Sequence, residues 1–348
     1  MKLAGHPLYR ADLEAAADWP GLEALRGATV LVTGATGLIG ACLTDALAWA
    51  NRTRGLGVRV IALCRNGGRA RERFDGADGV SVAQADLSGD CGELPAADFV
   101  VHAASNAHPM AFSTDPVGTM RANLLGTMRL LERMRAGGRR LLFVSTGEIY
   151  GENPAVTDGF REEDFGRIDP MNPRSCYPES KRAAETLCAS YVQQYGLDCV
   201  VARLCYVYGP TVAPGNTRAD AQFLKKALAG EDIVLKSDGA QLRSYCYVAD
   251  AVRGLLAVLL SGARGEAYNV AARGGAHTIR EYAETLARLA GVRVAFDLPP
   301  EAERRGYSAV TRAVQNPAKL EALGWSARVP LEEGLSHTLQ ILRPSQRQ

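Results

Sequence analysis

The chain has 348 residues, of which 47% are hydrophobic and 22% charged, as in a globular protein large enough for one α/β domain and a smaller lobe. Forty basic and thirty-eight acidic residues leave a net charge of +2 without a long block of one sign, which argues against nucleic acid or a membrane surface as a partner. Eight cysteines without Cys-x-x-Cys spacing, five scattered histidines and no leader-like or membrane-spanning apolar run predict a cytoplasmic protein without a metal site.

The first strong signal is a glycine-rich turn between a strand and a helix. After an amphipathic helical segment at residues 7–26, residues 29–32 form a β-branched apolar run typical of a buried parallel strand. The run leads into Thr-Gly-Ala-Thr-Gly-Leu-Ile-Gly at 33–40, and a helix is predicted from there to about Trp49. Glycines at such a turn let the backbone approach a pyrophosphate, whose charge would lie at the positive end of the helix. The segment therefore predicts a dinucleotide site.

Strands and helices alternate beyond this turn. Further strands are predicted at 58–64, 80–83, 98–102, 141–145 and 199–204, and further helices at 117–134 and 178–195. This alternation predicts an α/β fold with a doubly wound parallel sheet and ligands at its carboxyl edge. Beyond Tyr208-Gly209-Pro210 the pattern loosens, apart from a helix at 249–260. The predicted domains are a helical extension at 1–26, a dinucleotide-binding domain at 27–206 with 245–272 returning to it, and a discontinuous C-terminal substrate-binding lobe at 207–244 and 273–345.

Tyr177 and Lys181 lie one helical turn apart where a helix begins, so their side chains share a face. A phenol with a pKa near ~10 is a poor base at neutral pH, but an ammonium within ~4–6 Å stabilises the phenolate and lowers that pKa. Such a pair can take a proton from an alcohol. In a chain with twelve tyrosines this spacing gains weight only because the glycine turn precedes it.

Several motifs occur together and in order: the glycine turn, Asp86-Leu87, His102-Ala103-Ala104, Asn123, Ser145-Thr146 and the Tyr177/Lys181 pair. From about residue 27 to 340 they resemble the extended short-chain dehydrogenase/reductase family of nucleotide-sugar epimerases, dehydratases and decarboxylases. The resemblance implies a Rossmann domain, NAD, a nucleotide-sugar substrate and a homodimer formed through the helices that carry Asn123 and the Tyr177/Lys181 pair. The cofactor contacts that it implies are Gly34, Thr36, Gly37, Leu38, Ile39, Arg65, Asn66, Asp86, Leu87, Ala103, Ala104, Ser105, Asn123, Tyr177 and Lys181.

The residues after Thr146 bear on the reaction. In the family this position holds the hydroxyl that bridges tyrosine and sugar, and 4,6-dehydratases then have Asp-Glu where this chain has Gly147-Glu148. UDP-glucuronate decarboxylases have Ser-Glu, so the resemblance to them is closer. It implies catalysis by Thr146, Glu148, Tyr177 and Lys181, through C4 oxidation to a 4-ketone followed by decarboxylation of an NDP-hexuronate. A 4-epimerase, a C5-epimerase, an atypical 4,6-dehydratase and a non-catalytic cofactor-sensing regulator are the alternatives.

Two positions depart from the family's pattern. Tyr206 replaces a substrate-facing Asn, and Leu63-Cys64-Arg65-Asn66 lacks the acidic residue that would bond the ribose 2′-hydroxyl of NAD. Arg65 could instead accept the 2′-phosphate of NADP, although the decarboxylase-like relatives hold NAD. Arg243 is expected at the diphosphate, because its planar fork pairs with phosphate oxygens. The implied substrate contacts are Asn106, His108, Thr146, Tyr206 and Arg243.

Overall fold

The structure, a computed structural model, describes residues 3–298 and 310–343; the predicted extension and lobe also include 1–2, 299–309 and 344–345, which lie outside these ranges. The strands are β1 Thr29–Thr33, β2 Arg59–Cys64, β3 Val80–Gln84, β4 Phe99–His102, β5 Arg140–Thr146, β6 Cys199–Leu204, β7 Tyr206–Tyr208, β8 Ile233–Leu235, β9 Leu242–Tyr247, β10 Ala267–Val270, β11 Ala276–Thr278, β12 Val294–Phe296 and β13 Arg312–Ala313. The helices are α1 Pro7–Ala16, α2 Leu38–Arg54, α3 Gly67–Phe74, α4 Pro109–Thr114, α5 Pro116–Arg135, α6 Cys176–Tyr195, α7 Ala219–Leu228, α8 Val248–Ser261, α9 Ile279–Ala290, α10 Ala318–Glu321 and α11 Leu331–Leu342.

Seven parallel strands form the main sheet in the order β10-β6-β5-β4-β1-β2-β3, which confirms the predicted doubly wound fold. The side chains of successive β1 residues point to opposite faces of the main sheet, because side chains alternate along a strand. Val30 and Val32 pack with α2 and α8, whereas Leu31 packs with α5 and α6. The strand order reverses between β1 and β4, and a doubly wound sheet binds its ligands beyond the carboxyl ends of the strands at such a point.

Most of the predicted elements up to β6 agree with the structure to within a few residues, but the helical segment predicted at 7–26 is divided into α1 and a separate short turn at 20–25, and α2, α3 and α4 also differ. Helix α2 runs to Arg54 rather than Trp49 and ends where Gly55 adopts a left-handed conformation (φ +59°). Helix α3 was missed because its sequence, Gly-Gly-Arg-Ala-Arg-Glu-Arg-Phe, has little apolar periodicity. Helix α4 was missed because it has only six residues. No helix within the described ranges is long and apolar enough to cross a membrane.

The N-terminal helix α1 packs against α2, α8 and α11. The hydroxyl of Tyr9 donates a hydrogen bond to Asp45 of α2 (2.6 Å). Asp12, on the same buried face, accepts a hydrogen bond from Tyr247 and lies 3.3 Å from Nδ1 of His337 on α11. The segment therefore joins the helix that follows the glycine turn to the last helix of the fold.

A smaller sheet is built around β9, which pairs in parallel with β7 and β13 and antiparallel with β11. Strands β8 and β12 form a separate parallel pair. Helix α8 packs on the main sheet and β10 extends it beside β6. The division into domains stays a prediction, and two of its boundaries, 206/207 and 244/245, fall within β7 and β9.

Candidate active site

A cavity of about 680 Å³ opens at the carboxyl edge of the main sheet and extends to β9. One end is formed by the glycine turn after β1, and the other by side chains of the smaller sheet. All of the predicted site residues except Asn123 line this cavity. Their separate roles in catalysis and binding stay predictions, but the fold brings them to one place.

The glycine turn suits the pyrophosphate of a dinucleotide. Gly34 has φ +67°, and a Cβ there would lie 2.8 Å from the backbone of Ala103 and Ala104. At Gly40 a Cβ would overlap the backbone of Gly34, so the turn can close against the helix only without side chains. Gly37 begins α2 without a side-chain cap, which leaves first-turn N–H groups for an anion at the cavity wall. The residues present therefore fit NAD.

Three polar side chains line the cavity beyond β2 and β3. The carboxylate of Asp86 accepts hydrogen bonds from the hydroxyl (2.7 Å) and backbone (2.9 Å) of Ser88, and the hydroxyl bond in particular holds its pKa below the usual range. Asn66 accepts a hydrogen bond from the backbone of Arg69 (2.9 Å) and so caps α3. Arg65 is exposed, and its charge contributes to the low pKa of Asp86.

Tyr177 and Lys181 are both buried in the first turns of α6 and face the cavity. The Lys181 Nζ atom donates a hydrogen bond to the backbone oxygen of Val144 (2.7 Å), and burial lowers the pKa of Lys181 to about 7. Burial raises the pKa of the Tyr177 phenol, and the charge of Glu148 raises it further; the Thr146 hydroxyl and Arg218 act in the opposite direction. The net pKa of the Tyr177 phenol is thus raised in this structure, because burial outweighs the charges around it; the expected effect of Lys181 on this pKa stays a prediction.

Asn123 lies behind the cavity rather than in its wall. It is fully buried on α5, its amide oxygen accepts a hydrogen bond from the hydroxyl of Ser105 (2.8 Å), and its amide nitrogen donates to Ser180 (2.8 Å). Asn123 therefore does not line the cavity, and its predicted contact with the cofactor stays a prediction. The side chain instead connects a residue that lines the cavity, Ser105, to helix α6.

The wall beside the Tyr177 phenol contains residues that the sequence reasoning missed. The Phe112 ring stacks on the Tyr177 ring, with centroids 4.8 Å apart, and the Arg174 guanidinium lies 4.6 Å from the centroid of Phe112. Arg174 also pairs with Glu148 (Nη2 to Oε2, 3.1 Å). A charged residue three positions before Tyr177 was the available signal. His108, predicted to face the sugar, also accepts a hydrogen bond from the backbone of Ala111 (3.3 Å) and caps α4.

Two arginines converge on Tyr206 at the far end of the cavity. The Arg243 guanidinium lies 5.5 Å and that of Arg218 lies 5.7 Å from the centroid of the Tyr206 ring. Arg243 is buried and donates to the backbone oxygens of Leu242 (2.9 Å) and Val310 (2.7 Å). Arg218, which the sequence reasoning missed, pairs with Asp220 (2.8 Å). This end carries the positive charge that a diphosphate requires.

A doubly wound sheet with a glycine turn at its switch point, together with a buried Tyr/Lys pair facing the same cavity, defines an enzyme that works with a dinucleotide. Comparison with known families agrees with this class. The chain belongs to the NAD dependent epimerase/dehydratase family, whose model matches residues 30–271. This confirms the resemblance predicted from the motifs.

The relatives found include several sugar-nucleotide decarboxylases. The chain is 33% identical over 312 residues to UDP-glucuronic acid decarboxylase 1 of Danio rerio, covering 89% of this chain and 72% of that one. It is 35% identical over 241 residues to UDP-glucuronic acid decarboxylase 6 of Arabidopsis thaliana, covering 68% and 67%.

Among solved structures, a UDP-glucose 4-epimerase of Thermus thermophilus in complex with NAD has a TM-score of 0.74 at 31% identity, covering 91% of this chain and 99% of that one.

Proposed function

We propose that the protein oxidises a nucleotide-activated sugar at C4 and that its substrate is an NDP-hexuronate, which then loses its carboxylate as CO₂. The observation that carries the proposal is the Glu148–Arg174 ion pair, which lies in the same cavity as Thr146 and Tyr177. The similarity to UDP-glucuronic acid decarboxylases over most of the chain also supports it.

The oxidation step falls to Thr146, Tyr177 and Lys181. NAD held at the glycine turn would supply the chemistry of hydride transfer, as the acceptor of the C4 hydride and its donor again after CO₂ is lost. Thr146 orients the C4 hydroxyl through its own hydroxyl, which accepts a hydrogen bond from the backbone of Glu148 (3.2 Å). Tyr177 takes the hydroxyl proton. Only the phenolate of Tyr177 can accept that proton. Because burial raises the pKa of the phenol, its ionisation needs added positive charge near the ring, which bound NAD⁺ would supply.

The second step depends on charges beside Tyr177. A 4-ketone turns a C6 carboxylate into a β-keto acid, which can lose CO₂ and leaves C5 to be protonated. A substrate carboxylate about 4 Å from ionised Glu148 would be repelled by roughly 4 kcal/mol at an effective dielectric constant of 20. Arg174 offsets this repulsion, because its guanidinium has five donors and only one of them is bonded to Glu148. Loss of CO₂ leaves an enolate, and Glu148, which is open to solvent in part, takes a proton from water and donates it to C5.

The other reactions of the family need different groups. A 4,6-dehydratase of the usual kind needs an acid at the position of Gly147, where this chain has no side chain. A 4-epimerase or C5-epimerase needs no loss of carbon and is the second candidate. The non-enzymatic alternative is set aside, since the family and the relatives are enzymes.

Product analysis separates these reactions. The protein is incubated with UDP-glucuronate, UDP-glucose and dTDP-glucose, and the products are identified by NMR while released CO₂ is measured. We expect UDP-glucuronate to give CO₂ and a UDP-pentose, and we expect no CO₂ from the other two sugar nucleotides. A C4 or C5 epimer without CO₂ would replace the decarboxylase proposal with the epimerase, and no conversion of any substrate would contradict both.

We further propose that two copies of the chain associate through α5 and α6. Large apolar side chains remain exposed on these helices, including Val117, Met120 and Met128 on α5 and Tyr195 on α6. Exposed apolar side chains along two neighbouring helices favour a partner surface of the same kind. Sedimentation at micromolar concentration should give the mass of a dimer, and Met128→Lys should weaken it; a wild-type monomer would contradict the proposal.

A further inference from the structure

The residue after Thr146 is a glycine, and a side chain from a distant part of the sequence fills the space beside it. A Cβ at Gly147 would lie 2.6 Å from Oε1 and 2.9 Å from Cδ of Gln315. Gln315 follows β13, is 5% exposed and lines the cavity. Its amide therefore occupies the place that a side chain at position 147 would take.

The hydrogen bonds around Gln315 determine which end of its amide faces the cavity. Nε2 donates to the backbone oxygen of Arg203 (2.9 Å) and to Oδ1 of Asn269 (2.9 Å). Asn269 cannot be turned over, because its Nδ2 donates to the backbone of Phe160 (2.8 Å) and its Oδ1 accepts from the hydroxyl of Tyr150 (2.7 Å). Reversing the Gln315 amide would set oxygen against two acceptors. The hydrogen bonds of Nε2 therefore fix the Gln315 amide so that Oε1 points away from Arg203 and Asn269.

Within residues 3–298 and 310–343, no group donates a hydrogen bond to Oε1 of Gln315. The carboxylate of Glu148, two residues along from Thr146, offers only acceptors when ionised. Oε1 meets the open cavity, where solvent can reach it in the free protein. Once a ligand fills the cavity, an acceptor left there without a donor costs about 1–3 kcal/mol. A ligand that brings a donor to this place avoids that cost, whereas a ligand that brings another acceptor incurs it.

We infer that Oε1 of Gln315 accepts a hydrogen bond from a sugar hydroxyl of the substrate, next to the carbinol that Thr146 and Tyr177 hold. This role rests on one part of the proposed function, namely that a nucleotide sugar binds at this end of the cavity. The group bound is a neutral hydroxyl, since a carboxylate has no proton to donate. In a hexuronate the donor is a ring hydroxyl, and the carboxylate is left to Arg174.

Gly147→Ala provides the sharpest test, because the added methyl group displaces Oε1 without changing any donor or acceptor of Gln315. Gln315→Met removes the amide itself and keeps the inference testable if Gly147→Ala fails to fold. Dissociation constants for UDP-glucose, its 3-deoxy analogue and its 6-deoxy analogue are measured by calorimetry on NAD-loaded protein. Gly89→Ala, where a Cβ meets nothing within 4 Å, is the matched control and should leave all three constants unchanged.

We expect both variants to weaken UDP-glucose binding by about 5- to 30-fold, the range that one lost hydrogen bond with a neutral partner can produce. The wild type should bind one of the two deoxy analogues weakly, and the variants should bind that analogue no more weakly than the wild type does. The hydroxyl missing from that analogue is then the donor to Gln315. The other analogue should behave like UDP-glucose. The double variant should lose little more than either single variant, because both changes remove the same bond.

Equal losses for all three sugars would overturn the inference, because the substitutions would then act on general packing. Absence of binding of all three sugars to wild-type protein would overturn it as well. The binding test does not depend on turnover. If the variants lose affinity for UDP-glucose and for one analogue only, but the protein forms no ketone, the proposed function is refuted and the role of Gln315 is upheld. If the protein oxidises C4 but the variants lose affinity equally for all three sugars, the role of Gln315 is refuted and the proposed function is upheld.

Discussion

Replacing Lys181 with methionine should make the nucleotide-free protein more stable at neutral pH. The lysine is 2% exposed, and burial lowers its pKa from 10.5 to about 7. At 1.36 kcal/mol for each pH unit of difference, keeping this amine in the folded chain costs roughly 4–5 kcal/mol when it is protonated. Loss of the hydrogen bond to Val144 offsets about 1–3 kcal/mol of the gain. The net stabilisation at pH 6.5 should be about 1–4 kcal/mol.

The pH dependence separates this explanation from a simple change in packing. Below pH 7 the amine is protonated in both states, so the full cost is present. Between pH 7 and 10.5 only the unfolded chain binds the proton, and the stability contributed by this site rises by about 1.4 kcal/mol per pH unit. Above pH 10.5 neither state is protonated and the cost disappears. The advantage of Lys181→Met should therefore shrink steadily from pH 7 upward.

Urea unfolding followed by circular dichroism at pH 6.5, 8 and 9.5 tests the prediction. Wild type is compared with Lys181→Met and with Lys225→Met, a matched change at an exposed lysine of α7. Between pH 8 and 9.5 the difference for Lys181→Met should fall by about 2 kcal/mol. A difference that stays constant with pH, or a variant that is less stable at pH 6.5, would refute the reasoning.

Four other substitutions test separate steps. Tyr177→Phe should nearly abolish the absorbance change of the cofactor when UDP-glucuronate is added, and full activity would remove Tyr177 from the mechanism. Glu148→Gln should still form the 4-ketone but slow CO₂ release by roughly 10²-fold; unchanged turnover and solvent-deuterium incorporation would contradict its role. Arg174→Gln should weaken the binding of UDP-glucuronate about tenfold while changing the dissociation constant of UDP-glucose little, and equal effects would refute its contact with a carboxylate. Arg65→Ala should weaken NADP but not NAD if Arg65 meets a 2′-phosphate, as competition binding would show.

Local patterns were sufficient for the framework of the fold. The runs that form β1 and β4 are short and apolar, and the residues directly after each of them line the cavity. The strands and the site could therefore be predicted together. Glycines 34, 37 and 40 identify the turn because their spacing matches a specific backbone need. Helix α4 has no such pattern, since six residues do not complete two turns.

Contacts between distant parts of the chain could not be predicted. Gln315 and Gly147 are neighbours because β13 joins β9 in the smaller sheet and Gln315 itself forms a bridge with Phe160. Asn123 matches a family motif, but the sequence does not reveal that its amide bonds Ser105 and Ser180 behind the cavity wall. The spacing of Tyr177 and Lys181 places them on one helix face correctly, yet the sign of the effect on the phenol depends on burial, which spacing does not report.

The contacts of Asp12 with Tyr247 and His337 join α1 to β9 and α11, which lie far along the chain from it. During synthesis the ribosome must therefore release α11 before α1 can complete its contacts with that helix. Until then the apolar side of α1, with Leu13 and Ala16, lacks part of its cover in a nascent chain whose nucleotide half is otherwise formed. Premature termination before α11 should thus yield a product that engages chaperones or proteases, even though every residue that lines the cavity has been synthesised.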